Sequence, residues 1–261
     1  MSRELENLVV DIVQQAADFA WQKRREGVHV AAQKSSLVDI VTDADRASEA
    51  LIRELILDAR PDDGILGEEG GLTAGSSGLT WVVDPIDGTV NYLYNIPGWA
   101  VSVAVVEGEP DPATWTTLAG AVVNPVVAET YAAHLGGGAT LNGEPIRVSD
   151  KTDMATALIA TGFAYDASVR ERQARALIRL LPNVRDIRRM GACSLDLCAV
   201  AAGRVDGYFE ETVSPWDHAA GALIAREAGG IVSGRRGQAE GRDLVLAAGE
   251  GLYAQLLEMV G

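Results

Sequence analysis

Residues 81–91, Trp-Val-Val-Asp-Pro-Ile-Asp-Gly-Thr-Val-Asn, set two carboxylates three positions apart at the end of an apolar run. Pro85, between Asp84 and Asp87, fixes one φ and removes a backbone donor, and Gly88 permits a turn that a Cβ would oppose. Carboxylates forced together repel unless something positive lies between them. A hard divalent cation such as Mg²⁺, which takes carboxylate, carbonyl and water oxygens, meets that need. Residues 88–91 could open a helix, whose free N–H groups would bind a phosphate. On its own, the segment is equally a turn with two capping aspartates.

Three further acidic clusters carry the same mark. Glu68 and Glu69 lie between Gly67 and Gly70, Asp39, Asp43 and Asp45 surround Thr42, and Asp217 follows Trp216 and precedes His218. Any one of them reads as a solvated cap. With only three His available as alternative general bases, four such clusters are better explained by a shared metal site.

The elements that must position these groups follow from periodicity. Leu8, Val9, Ile12, Val13, Ala16, Ala17 and Ala20 recur at helical spacing within residues 5–25. A second amphipathic helix begins after Thr42, with Asp43 at its N-terminal end and Ala47, Ala50, Leu51, Leu55 and Ile56 on one face, and ends near Pro61. Buried strands are predicted at 64–69 and 79–84 around the polar loop 70–78, then at 100–106, 118–123 and 127–133, before a Gly-rich loop at 136–143. Strands at 157–161, 184–188 and 206–210 then alternate with helices at 168–181, 194–202 and 218–228, an α/β signature. The chain thus divides into an α+β region, 1–145, holding most of the acidic clusters, and an α/β region, 146–261, supplying Asp217. There is no internal repeat or low-complexity tract.

Across 261 residues, 22 Lys and Arg face 37 Asp and Glu, a formal charge of −15. That balance argues against nucleic-acid binding and anionic membranes, and it would repel a phosphate substrate unless bound cations reverse the local sign. Cys193 and Cys198 sit five apart on a predicted helix, too poorly aligned for a local disulfide, and are expected as buried reduced thiols. No signal-peptide stretch opens the chain and no apolar run is long enough to span a bilayer, so a cytoplasmic protein is expected.

Taken in order, the acidic blocks resemble the inositol monophosphatase family of Mg²⁺-dependent, lithium-sensitive phosphatases. The matching patterns are Asp39-x-Val-Thr42-x-x-Asp45, Gly67-Glu68-Glu69, Asp84-Pro-Ile-Asp87-Gly88-Thr89-x-Asn91 and Trp216-Asp217-x-Ala-Ala-Gly221, with residues 138–143 as a secondary block. The resemblance implies a layered αβαβα sandwich of the sugar-phosphatase type and a homodimer. It makes Glu68, Asp84 and the Ile86 carbonyl ligands of a first Mg²⁺, and Asp84, Asp87 and Asp217 ligands of a second, with a third ion near Glu68. Asp39 and Thr89 would orient and help deprotonate water on the metal, with Glu68 completing the catalytic set. Gly88 and Thr89 would bind phosphate through backbone N–H groups. Glu210, Asp87 and Asp217 would meet the alcohol, in a pocket lined by Gly191 and by Cys193, where the family commonly carries Ala or Thr. Paired cations suit in-line displacement by water, without a covalent protein nucleophile.

The implied reaction is hydrolysis of inositol 1-phosphate to inositol and phosphate. Histidinol phosphate, fructose 1,6-bisphosphate or a 3′-phosphoadenosine nucleotide are alternatives, and a regulatory binding protein on this scaffold is a non-enzymatic one. A nucleotide or bisphosphate would need extra basic residues near the pocket, and outside Arg185, Arg188 and Arg189 the sequence offers few. Those three are expected either to pair across a subunit interface or with Glu210, or to form a solvated face. His218 reads as a non-essential neighbour of Asp217, Trp216 as packing, and His29 and His134 as structural or exposed.

Overall fold

The computed structural model describes residues 2–28, 30–33 and 40–261, with side chains from 2–28 and 42–261. The first region comprises α1 (Ser2–Glu26), β1 (Val30–Gln33), β2 (Ile40–Thr42), α2 (Asp43–Ala59), β3 (Gly64–Gly67), β4 (Gly71–Thr73), β5 (Leu79–Asp87), α3 (Thr89–Tyr94), β6 (Ala100–Glu107), β7 (Thr116–Asn124), β8 (Glu129–His134), β9 (Ala139–Leu141) and β10 (Glu144–Ile146). There follow β11 (Leu158–Thr161), α4 (Ala167–Leu180), β12 (Asp186–Arg188), α5 (Cys193–Ala201), β13 (Gly207–Glu210), α6 (Pro215–Glu227), β14 (Ile231–Ser233), β15 (Val245–Ala248) and α7 (Glu250–Val260).

An eight-stranded sheet runs β10-β9-β8-β7-β6-β5-β3-β4, with β3 and β5 parallel and its other pairs antiparallel. A five-stranded sheet runs β12-β11-β13-β15-β14, parallel only at β12-β11-β13. Helices α1 and α2 pack on one face of the larger sheet, α5 and α6 lie between the sheets, and α4 and α7 cover the far face of the smaller one. This is the αβαβα sandwich.

The alternation of β5 to β7 explains the layering. Trp81, Val83, Val101, Val103 and Ala121 join the core under α1 and α2, while Val82, Ala104 and Val122 join the core around α5 and α6. Strands buried on both faces read as continuous apolar runs. The middle core draws on both halves of the chain, from Val82 to Ala247. Space there is tight: a Cβ on Gly120 would stand 3.0 Å from the Ala220 Cα, and one on Gly221 would stand 2.8 Å from Leu197 Cβ. The small residues of Ala-Ala-Gly at 219–221 let α6 wedge between sheet and helix.

Several local expectations differ from the structure. The N-cap of α2 is Thr42 rather than Asp43, because Thr42 and Asp45 close a reciprocal capping box, with Asp45 Oδ2 accepting from the Thr42 N–H at 2.7 Å. The Gly-rich loop carries a hairpin, β9 and β10, turning at Asn142 (φ 52°) and Gly143 (φ 81°), the Asn-Gly signature of a two-residue turn. The smaller sheet is mixed, because β14, β15 and α7 follow α6 and add antiparallel strands. If close packing of α6 sets the middle layer, Gly221→Val should destabilise the fold by ~1–3 kcal/mol, the usual range for overpacking, read as a lower midpoint in urea unfolding.

Candidate active site

Asp84 and Asp87 meet because β5 is irregular where they sit. In a regular strand, residues three apart point to opposite faces. Here the pairing with β6 slips between Asp84 opposite Ser102 and Asp87 opposite Ala100, so one extra residue brings both carboxylates to one side. Pro85 falls inside the bulge, where its missing donor breaks no regular ladder. The Ile86 N–H donates to Asp84 Oδ1 at 3.1 Å. Gly88 follows at φ 91°, and a Cβ there would meet the Gly98 carbonyl at 3.0 Å. The strand therefore continues through Pro85 to Asp87, beyond the predicted end at residue 84.

Glu68 is presented by a loop that α2 holds from below. The buried Glu49 carboxylate accepts the N–H groups of Glu69 at 2.7 Å and Gly70 at 2.8 Å, and the Arg53 Nε at 2.7 Å. Arg53 in turn donates to the Gly71 carbonyl at 2.7 Å. A Cβ on Gly67 would run into the Glu49 carboxylate, so that glycine makes room for the clamp. Hydrogen bonds of charged groups to backbone are among the stronger ones.

Asp87 and Asp217 are fixed in the same manner. The N–H and hydroxyl of Ser194, at the start of α5, both donate to Asp87 Oδ2, the former at 2.7 Å. Asp217 closes a capping box on α6 by accepting the Ser214 N–H at 2.6 Å. Asn91 ties α3 to the segment before α5, donating to the carbonyls of Gly98 at 2.6 Å and Met190 at 2.8 Å.

Thr89 has a carboxylate partner, and it is Asp45. The Thr89 hydroxyl stands 3.2 Å from Asp45 Oδ1 and 3.2 Å from the Ile86 carbonyl, while the other Asp45 oxygen is engaged by Thr42. Asp39, expected as the partner of Thr89, lies outside the described residues.

These groups line one cavity of about 540 Å³. Glu68, Asp84, Ile86, Asp87 and Asp217 form its acidic end together with Gly88 and Thr89. Gly191, Cys193 and Glu210 line it too, as do Trp216, Arg189 and Arg242. Burial, then Glu68, Asp87 and Asp217, pushes Asp84 well above the usual carboxylate range. Asp217 is raised in the same way by burial and then Asp87 and Glu68. Burial takes Asp87 to about 6 against the Ser194 hydrogen bonds, and takes Asp45 to about 6 despite Thr42. Glu210 rises to about 7 through burial, opposed by the Tyr208 hydroxyl at 2.9 Å and by Arg189.

The candidate donors are all oxygen, four carboxylates and a carbonyl, and Cys193 on the same wall is a thiol whose pKa burial pushes up. Such a set suits Mg²⁺ and not a soft metal. Among the described residues no three His, Cys, Asp or Glu side chains are grouped closely enough to hold an ion as they stand.

Other expected residues take definite places. His218 is fully buried in the protein, neither ring nitrogen has a hydrogen-bond partner among the described residues, and burial lowers its pKa to about 4. Cys193 and Cys198 are buried free thiols, pushed up by burial and therefore unreactive. Trp216 both packs on the middle core and borders the cavity. His134 pairs with Glu6 of α1 at 2.6 Å, and His29 lies outside the described residues. Arg188 pairs with Asp186 at 2.6 Å, whereas Arg189 acts on Glu210. Sequence reasoning missed the roles of Asp45, Glu49 and Ser194. For Asp45 the Thr-x-x-Asp capping pattern was the available signal, while Glu49 and Ser194 reach their partners only through the tertiary fold.

The chain matches the family model described as "Inositol monophosphatase family" over residues 1–260. It is 43% identical over 249 residues to the inositol-1-monophosphatase SuhB of Mycobacterium tuberculosis, covering 92% of this chain and 84% of that protein. It is 40% identical to the Nus factor SuhB of Xylella fastidiosa over 91% of this chain and 84% of that one. A solved structure of the extragenic suppressor protein suhB from Bartonella henselae superposes with a TM-score of 0.90 at 32% identity, covering 98% of each chain.

The buried carboxyls make stability depend on pH. Asp45, Asp84, Asp87, Asp217 and Glu210 all have raised pKa values in the fold. A raised carboxyl confers stability that is full below its unfolded value, about 4, and lost as pH climbs through the folded value. Asp196 is raised by burial as well; His218, with its lowered pKa, works the other way across this window, and the lowered carboxyls Asp63, Glu129 and Asp206 do so only at its acid end. The thermal midpoint in EDTA should therefore fall between about pH 4.5 and pH 7.5. A midpoint that rises across that window would contradict the burial of these groups.

Proposed function

The chain belongs to the inositol monophosphatase family, and from that premise we propose that it is a Mg²⁺-dependent phosphomonoesterase that hydrolyses inositol 1-phosphate. Family and fold together support a phosphatase. The observation that carries the finer reading is the convergence of Glu68, Asp84, Asp87 and Asp217 on one cavity beside the Thr89–Asp45 pair.

In this reading Glu68, Asp84 and the Ile86 carbonyl hold one Mg²⁺, and Asp84, Asp87 and Asp217 a second, with a third near Glu68. The cations supply Lewis-acid activation of water and cancel charge on the phosphoryl oxygens. Asp45, at about 6, is poised as a base near neutral pH. The Thr89 hydroxyl gives its proton to Asp45 Oδ1 as it takes one from the attacking water. Asp39 enters this proposal through the family pattern alone. The backbone N–H groups of Gly88 and Thr89 orient the phosphate, while Glu210, Gly191 and Cys193 border the alcohol. A homodimer, lithium sensitivity and a cytoplasmic setting belong to the same proposal.

A second reading, a regulatory binding protein, draws support from relatives named Nus factor SuhB, such as the Xylella protein at 40% identity. Phosphate release separates the two. Inositol 1-phosphate should be hydrolysed with Mg²⁺ and not in EDTA, and Asp84→Asn should lower kcat by at least about a hundredfold while leaving the far-ultraviolet circular dichroism unchanged. A preference for histidinol phosphate would overturn the substrate, and turnover without divalent metal would overturn the mechanism.

A further inference from the structure

The chain leaves β13 at Glu210 and enters α6 at Pro215, with Ser214 as the N-cap, so residues 211–214 alone join strand to helix. Glu210, on the side assigned to the alcohol, and Asp217, assigned to a cation, flank this joint. Thr212, Val213, Ser214 and Trp216 line the same cavity between them.

Thr212 sits at φ 72°. Left-handed backbone costs glycine nothing and asparagine little, but a branched Cβ crowds the neighbouring carbonyl there. Among the described residues Thr212 is the only β-branched one with a positive φ. Such a residue persists only where its surroundings over-determine it, and strained residues of this kind cluster at functional sites.

Surroundings from separate parts of the chain hold this one. The Thr212 N–H donates to the Arg242 carbonyl at 2.7 Å. Arg242 lies in a turn whose ends, Gly241 and Leu244, exchange backbone hydrogen bonds at 3.1 Å. Glu211 lines a second cavity of about 630 Å³, which shares Glu210 and Thr212 as a wall with the first. Its carboxylate, 15% exposed, accepts from Arg172 of α4 at 2.9 Å and from Arg235 at 2.5 Å. On the helix side Asp217 accepts the Ser214 N–H at 2.6 Å. On the strand side Glu210 accepts the Tyr208 hydroxyl at 2.9 Å, and a Cβ on Gly162 would stand 1.9 Å from the Glu210 carboxylate. With Glu210 held in this way, turning φ at 212 to a negative value would swing Ser214, and Asp217 with it, away from its present place.

We propose that Thr212, with Glu211 as its brace, is a positioning residue: its left-handed backbone sets Asp217 against Glu210, and so the second cation against the alcohol. The roles of those two carboxylates rest on the phosphatase reading above, whereas the joint that places them does not.

A two-residue cycle tests it, read by Mg²⁺ calorimetry and by the thermal midpoint in EDTA, each variant being titrated below its own midpoint. Thr212→Gly takes the same φ without a Cβ, so it should raise the midpoint by about 2–4 °C. Glu211→Ala removes the brace and lets the joint relax, so it should weaken Mg²⁺ binding about tenfold, the usual scale for a group that orients a metal ligand. Adding Thr212→Gly to Glu211→Ala should bring the affinity back to within about threefold of the unmodified protein, because glycine keeps a left-handed turn unaided. A loss caused only by the missing charge would survive the glycine. A midpoint that fails to rise in Thr212→Gly, Mg²⁺ binding that Glu211→Ala leaves unchanged, or a loss that glycine does not rescue overturns the positioning role. Calorimetry needs no ester, so absence of inositol 1-phosphate turnover would remove the phosphatase reading and leave this one standing. No Mg²⁺ binding by the unmodified protein removes both.

Discussion

Buried carboxylates set against one another are the constraint on which the rest of this molecule turns. Asp84, Asp87 and Asp217 each lose hydration, Glu68 raises the proton affinity of all three, and Asp87 raises that of both Asp84 and Asp217. Desolvated like charges are costly unless neutralised by protons or by a cation. The fold accepts that cost at one place, where two sheets and the α5–α6 layer meet. Its remaining polar contacts there serve largely to keep the carboxylates from turning away. The Asp84 bond from Ile86, the two Ser194 donors on Asp87 and the Ser214 cap on Asp217 each hold an oxygen of its carboxylate in place.

The larger architecture follows from the need to deliver those groups from distant parts of the chain. Helix α2 contributes twice on successive turns, through Asp45 to Thr89 and through Glu49 to the loop that bears Glu68. Helix α6 brings Asp217 only because Gly120 and the Ala-Ala-Gly stretch allow backbones to approach closely. The acidity of the chain thus has a local meaning at the cavity, while elsewhere it contributes to solubility. Across the shared wall at Glu210 the sign of charge changes, from the carboxylate cluster to the arginines of α4 and the 235–242 segment.

What was legible in the sequence were features written in a few neighbouring residues. Helix α1 shows its apolar stripe, β5 to β7 show apolar runs, and Pro85 and Gly88 mark the break that brings Asp84 and Asp87 together. The capping box of Thr42 and Asp45 and the Asn142-Gly143 turn were equally local, but their patterns compete with ordinary loops and caps. Beyond the reach of any window lay contacts closed only by tertiary packing: Ser194 on Asp87, 107 residues apart, and Glu49 on the Glu69 and Gly70 amides. The strands β14 and β15 are short, three and four residues, and carry too little alternation to stand out.

Titrating Mg²⁺ into metal-free protein by calorimetry, in buffers of different ionisation enthalpy, tests the carboxylate cluster most directly, since it requires no substrate. At about pH 6 the cation should bind with net release of protons, because it displaces protons that the raised carboxyls hold, and the release should diminish as pH rises above the values of about 6 and 7 of Asp87 and Glu210. Absence of binding, or binding at pH 6 with no proton released, would contradict the account.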